Sequence, residues 1–337
     1  MFKKSLWALV IMIFVMILIG GLTRLTGSGL SIVEWQPILG ILPPLSQLDW
    51  MELFQKYQTS PEYQKINLGM TLAEFKNIFW LEYIHRVWGR LLGIVLAIPL
   101  IFSWIKPHLK SYRLPLLLLA ILIGGQGFMG WYMVESGLSA DPHVSPYRLT
   151  AHLLLGILIL GLAFWMTIRT SSADTFIGYS KHAIRKISIS ALGLLALISL
   201  TILYGGLVAG HKAGLIYNTY PLMGGNLLPS DLLFLQPFWE NLWANAATVQ
   251  FIHRWLGTLT AASIIVMSFY FWTTEIPFQI KVLLRLSLGM AILQFVLGLY
   301  TLLLVVPVDL AVIHQAGALV LFLLLLALVI KTAPVWK

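Results

Sequence analysis

Apolar and polar positions in this chain separate on the scale of whole helices. Apolar runs of about 20 residues, enough to cross a hydrocarbon layer roughly 30 Å thick, fall at approximately 5–22, 79–104, 114–134, 148–168, 187–208, 247–272, 282–304 and 310–330. The pattern predicts eight transmembrane helices. Short polar connections alternate with two long ones, at about 23–78 and 209–246, which carry Pro, Gly, Trp and charges. Long ordered loops of this kind often act as lids.

Composition agrees: 59% of the 337 residues are hydrophobic and 10% charged, whereas a soluble domain needs roughly a quarter charged positions. The chain reads as an all-α integral membrane protein. Placing Lys3 and Lys4 inside puts Lys106, Lys110, Arg113, Arg169, Lys181, Arg185, Lys186, Lys281, Arg285, Lys331 and Lys337 on the same side. The positive-inside rule then makes both termini cytoplasmic. Of the acids, Asp174 and Glu275 alone fall on that side. The net charge of +9 is therefore mostly a topology signal, and nothing else in the chain supports nucleic-acid binding. The basic, apolar start runs into Gly20-Gly21-Leu22-Thr23-Arg24 without a small-residue cleavage site, so it is expected to be a retained first helix.

The chain contains no cysteine, which excludes covalent heme attachment through Cys-x-x-Cys-His, iron–sulfur clusters, disulfides and thiol chemistry. A metal centre here must use His, carboxylate or Met.

Internal repetition organises the helices. Glu82-Tyr83-Ile84-His85-Arg86 recurs as Gln250-Phe251-Ile252-His253-Arg254, and Gln126-x-x-x-Gly130-x-Tyr132 recurs at the same offset as Gln294-x-x-x-Gly298-x-Tyr300. Gly20-Gly21-Leu22 with Gly29-Leu30 returns as Gly205-Gly206-Leu207 with Gly214-Leu215, and His152 returns as His314. Two four-helix halves, 1–170 and 171–337, are expected. An even helix count per half predicts a pseudo-twofold axis along the membrane normal.

His85, His152, His253 and His314 each fall about 3–7 residues, or roughly 5–10 Å, below the outer face at 1.5 Å per residue. Two histidines on facing helices of a bundle can hold a planar macrocycle as axial ligands, which pairs His85 with His152 and His253 with His314. A lone membrane histidine more often bonds a neighbouring helix, but four at one depth argue for function. Glu82 lies on the face of His85, whereas its counterpart Gln250 cannot move a proton. That difference suggests a reactive site in the first half and an electron-transfer site in the second. Pairing of Glu82 with Arg86 or Arg90 is the structural alternative.

Arg24, Arg86, Arg148 and Arg254 lie near the outer face, where heme propionates need cations and where lipid phosphates would serve equally. Gly89, Gly93, Gly124, Gly125, Gly127, Gly130, Gly257 and Gly298 suit close helix approach or clearance for a flat cofactor. Trp80, Trp88, Trp131, Trp239 and Trp243 read as an interfacial belt. His108, His143, His182 and His211 have no repeat partner and are read as non-ligands.

The ordered set Gly20-Gly21-x-Thr23-Arg24-Leu25-Thr26-x-Ser28-Gly29-Leu30-Ser31, Glu82-x-x-His85-Arg86, Gly124-Gly125-Gln126-Gly127, His152, His253-Arg254 and His314-Gln315 resembles the heme A synthase family. The branch it resembles is the proteobacterial and mitochondrial one, since other members carry a loop cysteine pair absent here. The resemblance implies oxidation of the C8 methyl of heme O to formyl by two successive hydroxylations, with water as oxygen source, in support of cytochrome c oxidase. It implies heme b on His253 and His314, substrate heme O between His85 and His152, and Glu82 as catalytic base. It also implies a multi-pass protein of the inner (cytoplasmic) membrane, with heme O synthase (protoheme farnesyltransferase) as donor and an electron acceptor the sequence does not name.

Competing readings are a di-heme b electron carrier, which Glu82 against Gln250 disfavours, and a repeat-built transporter, for which no unwound midplane segment is apparent. A di-iron carboxylate bundle fails because the second motif is Gln-x-x-His.

Overall fold

The computed structural model describes residues 1–36, 39–139, 141–170 and 178–333; Asp174 and Lys337, assigned inward by charge, lie outside them. Eight helices are long and apolar enough to cross a membrane. They are α1 (Phe2–Leu25), α4 (Leu72–Ile105), α5 (Arg113–Glu135), α6 (Pro146–Arg169), α7 (Lys181–Gly210), α8 (Ala246–Tyr270), α9 (Phe278–Leu303) and α10 (Val308–Thr332). Two short helices, α2 (Gln47–Gln58) and α3 (Pro61–Lys65), precede α4. No strand occurs among the described residues.

The chain forms two compact units, Met1–Leu160 and Gly161–Lys337, with the boundary inside α6. In the first unit α1 packs on α4 and α4 on α5. The ring closes through α6, whose Gly156 faces Ile17 of α1 and Gln126 of α5. In the second, α7 packs on α8 and α10, and α9 on α8 and α10. Leu6, Leu9, Leu116 and Leu119 are fully buried in the first ring, as are Ile184, Ile187 and Ile264 in the second. Between helices in lipid, close packing rather than water exclusion supplies the attraction.

The first long connection is more ordered than its sequence suggested. Ser46 and Asp49 form a reciprocal capping box at the start of α2, and Ser60 caps α3. Thr71 and Glu74 form another that starts α4 at Leu72 rather than near 79. At 34 residues this helix spans about 50 Å, so its first turns stand beyond a bilayer. They are covered by α2 through Trp50, Tyr57, Phe75 and Phe79, a buried aromatic cluster. Removing each such ring from water stabilises the lobe by about 1.5–3 kcal/mol.

The second long connection is built of 3-10 turns. Asn241 accepts from Leu235 N and donates to the carbonyls of Leu235 and Phe238, and Asn245 caps α8. The loops nonetheless start alike. Gly27 and its repeat counterpart Lys212 both adopt left-handed backbone, φ 65° and 53°, so the chain leaves α1 and α7 through the same turn.

Candidate functional site

Each of the four repeat-related histidines is half-buried and rests against a glycine of the preceding long helix. A Cβ added at Gly20 would stand 3.1 Å from His85 Nε2, one at Gly130 3.2 Å from His152 Cε1, one at Gly205 3.1 Å from His253 Cε1, and one at Gly298 2.7 Å from His314 Cε1. The glycines are notches that admit imidazole rings. The expected pairings of His85 with His152 and of His253 with His314 each fall within one unit.

The rings are also oriented by hydrogen bonds. His253 Nδ1 stands 3.0 Å from the Thr201 carbonyl, which only accepts, so Nδ1 carries the proton and Nε2 keeps its lone pair for a metal. At His152 and His314 a glutamine of the preceding helix reaches across. Gln126 Nε2 donates to the His152 carbonyl at 2.9 Å, and Gln294 Nε2 to the His314 carbonyl at 2.8 Å. The same amides stand 3.4 Å from His152 Nε2 and 3.1 Å from His314 Nδ1. Gly156 and Gly317 make room for the two amides.

Above the histidines, in sequence terms, the loop is tied lengthwise to the helix. Glu82 is 3% exposed, and its Oε2 accepts from Ser31 Oγ at 2.7 Å and Ile32 N at 2.9 Å. Oε1 accepts from Arg86 Nε at 3.1 Å and Nη2 at 2.7 Å. The acceptor directions of the carboxylate are filled. Arg86 also donates to the carbonyls of Ile32 and Glu34, and Arg90 to that of Gln36. One helix face, at 82, 86 and 90, fastens the strap 31–36.

The second unit repeats the strap with different chemistry. Gln250 Nε2 donates to Tyr217 O at 3.0 Å, Arg254 donates to Thr219 O, and Thr258 meets Tyr220. The first two are the repeat counterparts of Glu82 with Ile32 and Arg86 with Glu34, whereas Arg90 bonds Gln36, one residue beyond the position that matches Tyr220. Here, among the described residues, Arg254 Nε and Nη1 and Gln250 Oε1 are buried without hydrogen-bond partners. A buried guanidinium with two unmet donors calls for an acidic ligand.

An imidazole pair, open space in front of Gly257 one turn past His253, and an unmet Arg254 fit a flat, acidic macrocycle that needs two axial ligands. The residues therefore fit heme.

Residues 3–326 match the family described as cytochrome oxidase assembly protein. The chain is 46% identical over 315 residues to a heme A synthase of Nitrosospira multiformis, covering 92% of this chain and 87% of that protein. It is 47% identical over 317 residues to one of Paramagnetospirillum magneticum, covering 94% and 89%, and 45% identical over 325 residues to one of Nitrosomonas eutropha, covering 94% and 90%. The chain belongs to the cytochrome oxidase assembly protein family.

Arg148 donates to the Tyr132 carbonyl at 2.7 Å and lies 3.7 Å over its ring. Arg24 sits in the last turn of α1. Trp88 is a packing residue rather than a belt residue, its indole donating to Met12 O at 2.9 Å. His143 pairs with Asp141 and His211 with the Trp243 carbonyl. Gly93, Gly124, Gly125 and Gly127 face nothing within 4 Å, while Gly89 meets Met16.

Sequence reasoning missed Gln126, Gln294, Thr201 and Ser31 as supporting residues. The repeat contained both glutamines with their glycines, but their contact is to a carbonyl on another helix, which periodicity does not reveal.

Proposed function

We propose that this chain is a heme A synthase that oxidises the C8 methyl of heme O to formyl by two successive hydroxylations. One observation carries the reading. Two units that place corresponding His, Gly and Gln residues together differ where proton chemistry would occur, with Ser31 and Glu82 in the first against Ile216 and Gln250 in the second. The family and the names of its relatives support the same activity.

In this reading His85 and His152 hold substrate heme O, and His253 and His314 hold heme b. Heme b, when bound, supplies a one-electron relay. Thr201 directs Nε2 of His253 toward the cofactor, and Arg254 receives a propionate at the donors left unmet. Arg86, engaged by Glu82 and the strap, serves mainly to hold Glu82. Arg24 and Arg148 remain candidate propionate partners in the first unit.

Each hydroxylation draws its oxygen from water and releases a pair of electrons and a pair of protons, and the geminal diol left by the second loses one water to give the formyl group. Glu82 accepts a proton from the methyl or the attacking water at Oε2, on the lone pair the Ser31 hydroxyl vacates as it turns to the Ile78 carbonyl, a positioned base contributing roughly 10²–10⁴-fold. The strap along α4 covers this step. The electrons leave to an acceptor outside the chain. We further propose residence in the cytoplasmic membrane with both termini cytoplasmic, supported by the inward basic residues, and supply of substrate by heme O synthase.

The test is the heme profile of the purified protein co-expressed with a heme O source, for wild type and Glu82→Ala. Heme A or its hydroxymethyl precursor in wild type, with heme O accumulating in the variant, is expected. Two equivalents of heme b in both, with no modified heme, would instead establish a di-heme electron carrier.

A further inference from the structure

We infer that Ser31 is a positioning residue of the reaction, aiming the Glu82 carboxylate and following its protonation; this rests on the role of Glu82 proposed above. Ser31 is 2% exposed and Glu82 3%, so neither is solvated well enough to exchange partners with water. Ser31 Oγ donates to Glu82 Oε2 at 2.7 Å and stands 3.4 Å from the Ile78 carbonyl, one turn earlier on α4.

Those two acceptors give the hydroxyl two useful orientations. With Glu82 ionised, the Ser31 proton points at Oε2. When Glu82 takes up a proton on Oε2, that new O–H donates to Ser31 Oγ while the Ser31 proton turns to Ile78 O. The other partners of Glu82 are donors only: Ile32 N on the same oxygen, and Arg86 Nε and Nη2 on Oε1. Neither can accept a hydrogen bond from a protonated carboxyl. Ser31 is thus the member of the set that satisfies both states, which matters because an unmet buried polar group costs about 1–3 kcal/mol.

The second unit is an internal control. Its strap is tied down at matching positions through Tyr217 and Thr219, yet the position of Ser31 is Ile216 and that of Glu82 is Gln250. Strap and helix therefore assemble without the hydroxyl and without the carboxylate. The two groups are absent together from the unit read as holding the permanent cofactor, and present together in the unit read as doing the chemistry.

The experiment compares Ser31→Ala, Ser31→Thr and Glu82→Gln in the full-length protein co-expressed with a heme O source. It reads the ratio of heme O, hydroxymethyl and formyl products, total heme b, and hydrogen exchange over 30–36. Ser31→Ala is expected to lower formyl product at least tenfold, with heme b unchanged and the strap still protected through the Ile32 contacts to Glu82 and Arg86. Ser31→Thr, which keeps the hydroxyl, should restore most of it. If Glu82→Gln loses conversion while Ser31→Ala matches wild type, the inference about Ser31 is wrong. If Glu82→Gln itself converts normally, the role of Glu82 fails first. If Ser31→Ala loses conversion together with strap protection, Ser31 is merely structural.

Discussion

His253 gives its Nδ1 proton to the Thr201 carbonyl at 3.0 Å. That bond crosses from α8 to α7, fixes the ring plane, and leaves the Nε2 lone pair free to ligate a metal. With His314 as the second ligand, heme b should be six-coordinate and low-spin. His314→Gly is expected to give a five-coordinate, high-spin spectrum, and added imidazole should restore the low-spin form. A low-spin spectrum in the variant without imidazole would place the second ligand elsewhere.

The glycine notches set how tightly each ring is gripped. A methyl at Gly298 would stand 2.7 Å from His314, closer than the 3.2 Å at Gly130 and His152. Forcing extra volume into a packed site costs about 1–3 kcal/mol. Gly298→Ala should therefore displace His314 and lower heme b per protein several-fold, whereas Gly130→Ala should leave heme b intact and weaken substrate binding. Heme quantitation of both variants checks the order.

Gln294 supports His314 through the carbonyl and the ring edge. Loss of a partner that holds a metal ligand in place typically costs 10–100-fold in affinity, and here the hold is on the His314 carbonyl rather than on a ring N–H. Gln294→Leu is expected to weaken heme b binding by that factor in a titration of heme-depleted protein and to shift its midpoint potential, with helix content unchanged.

The aromatic lobe is stabilised by water exclusion rather than by the bilayer. Phe75 is fully buried against Phe54, Tyr57 and Phe79. Phe75→Ala should cost about 3–5 kcal/mol and speed hydrogen exchange across α2 and α3, leaving α7 to α10 at wild-type protection.

The membrane helices were legible because lipid imposes a length and an apolarity that few other constraints produce. The glycine notch behind each of the four histidines was legible because the repeat places like residues at like offsets. The lobe before α4 was not. Glu74 and Lys76 interrupt the apolar run, and what extends the helix there is a capping box and a covering helix rather than lipid. Glu82 is legible as a carboxylate beside a histidine, and its structural alternative, the ion pair with Arg86, is formed. Its partners Ser31 and Ile32 lie 51 and 50 positions away, so their contact exists only once α1, the strap and α4 are assembled. The amides of Gln126 and Gln294 illustrate the same limit, since a repeat reveals that a residue recurs but not which backbone group it meets.

Heme content of single histidine variants separates the roles proposed for the two pairs of histidines. His253→Ala and His314→Ala should purify without heme b, whereas His85→Ala and His152→Ala should retain one equivalent of heme b and lose heme O and its oxidised products. Retention of heme b in the first pair of variants, or its loss in the second, would contradict the account.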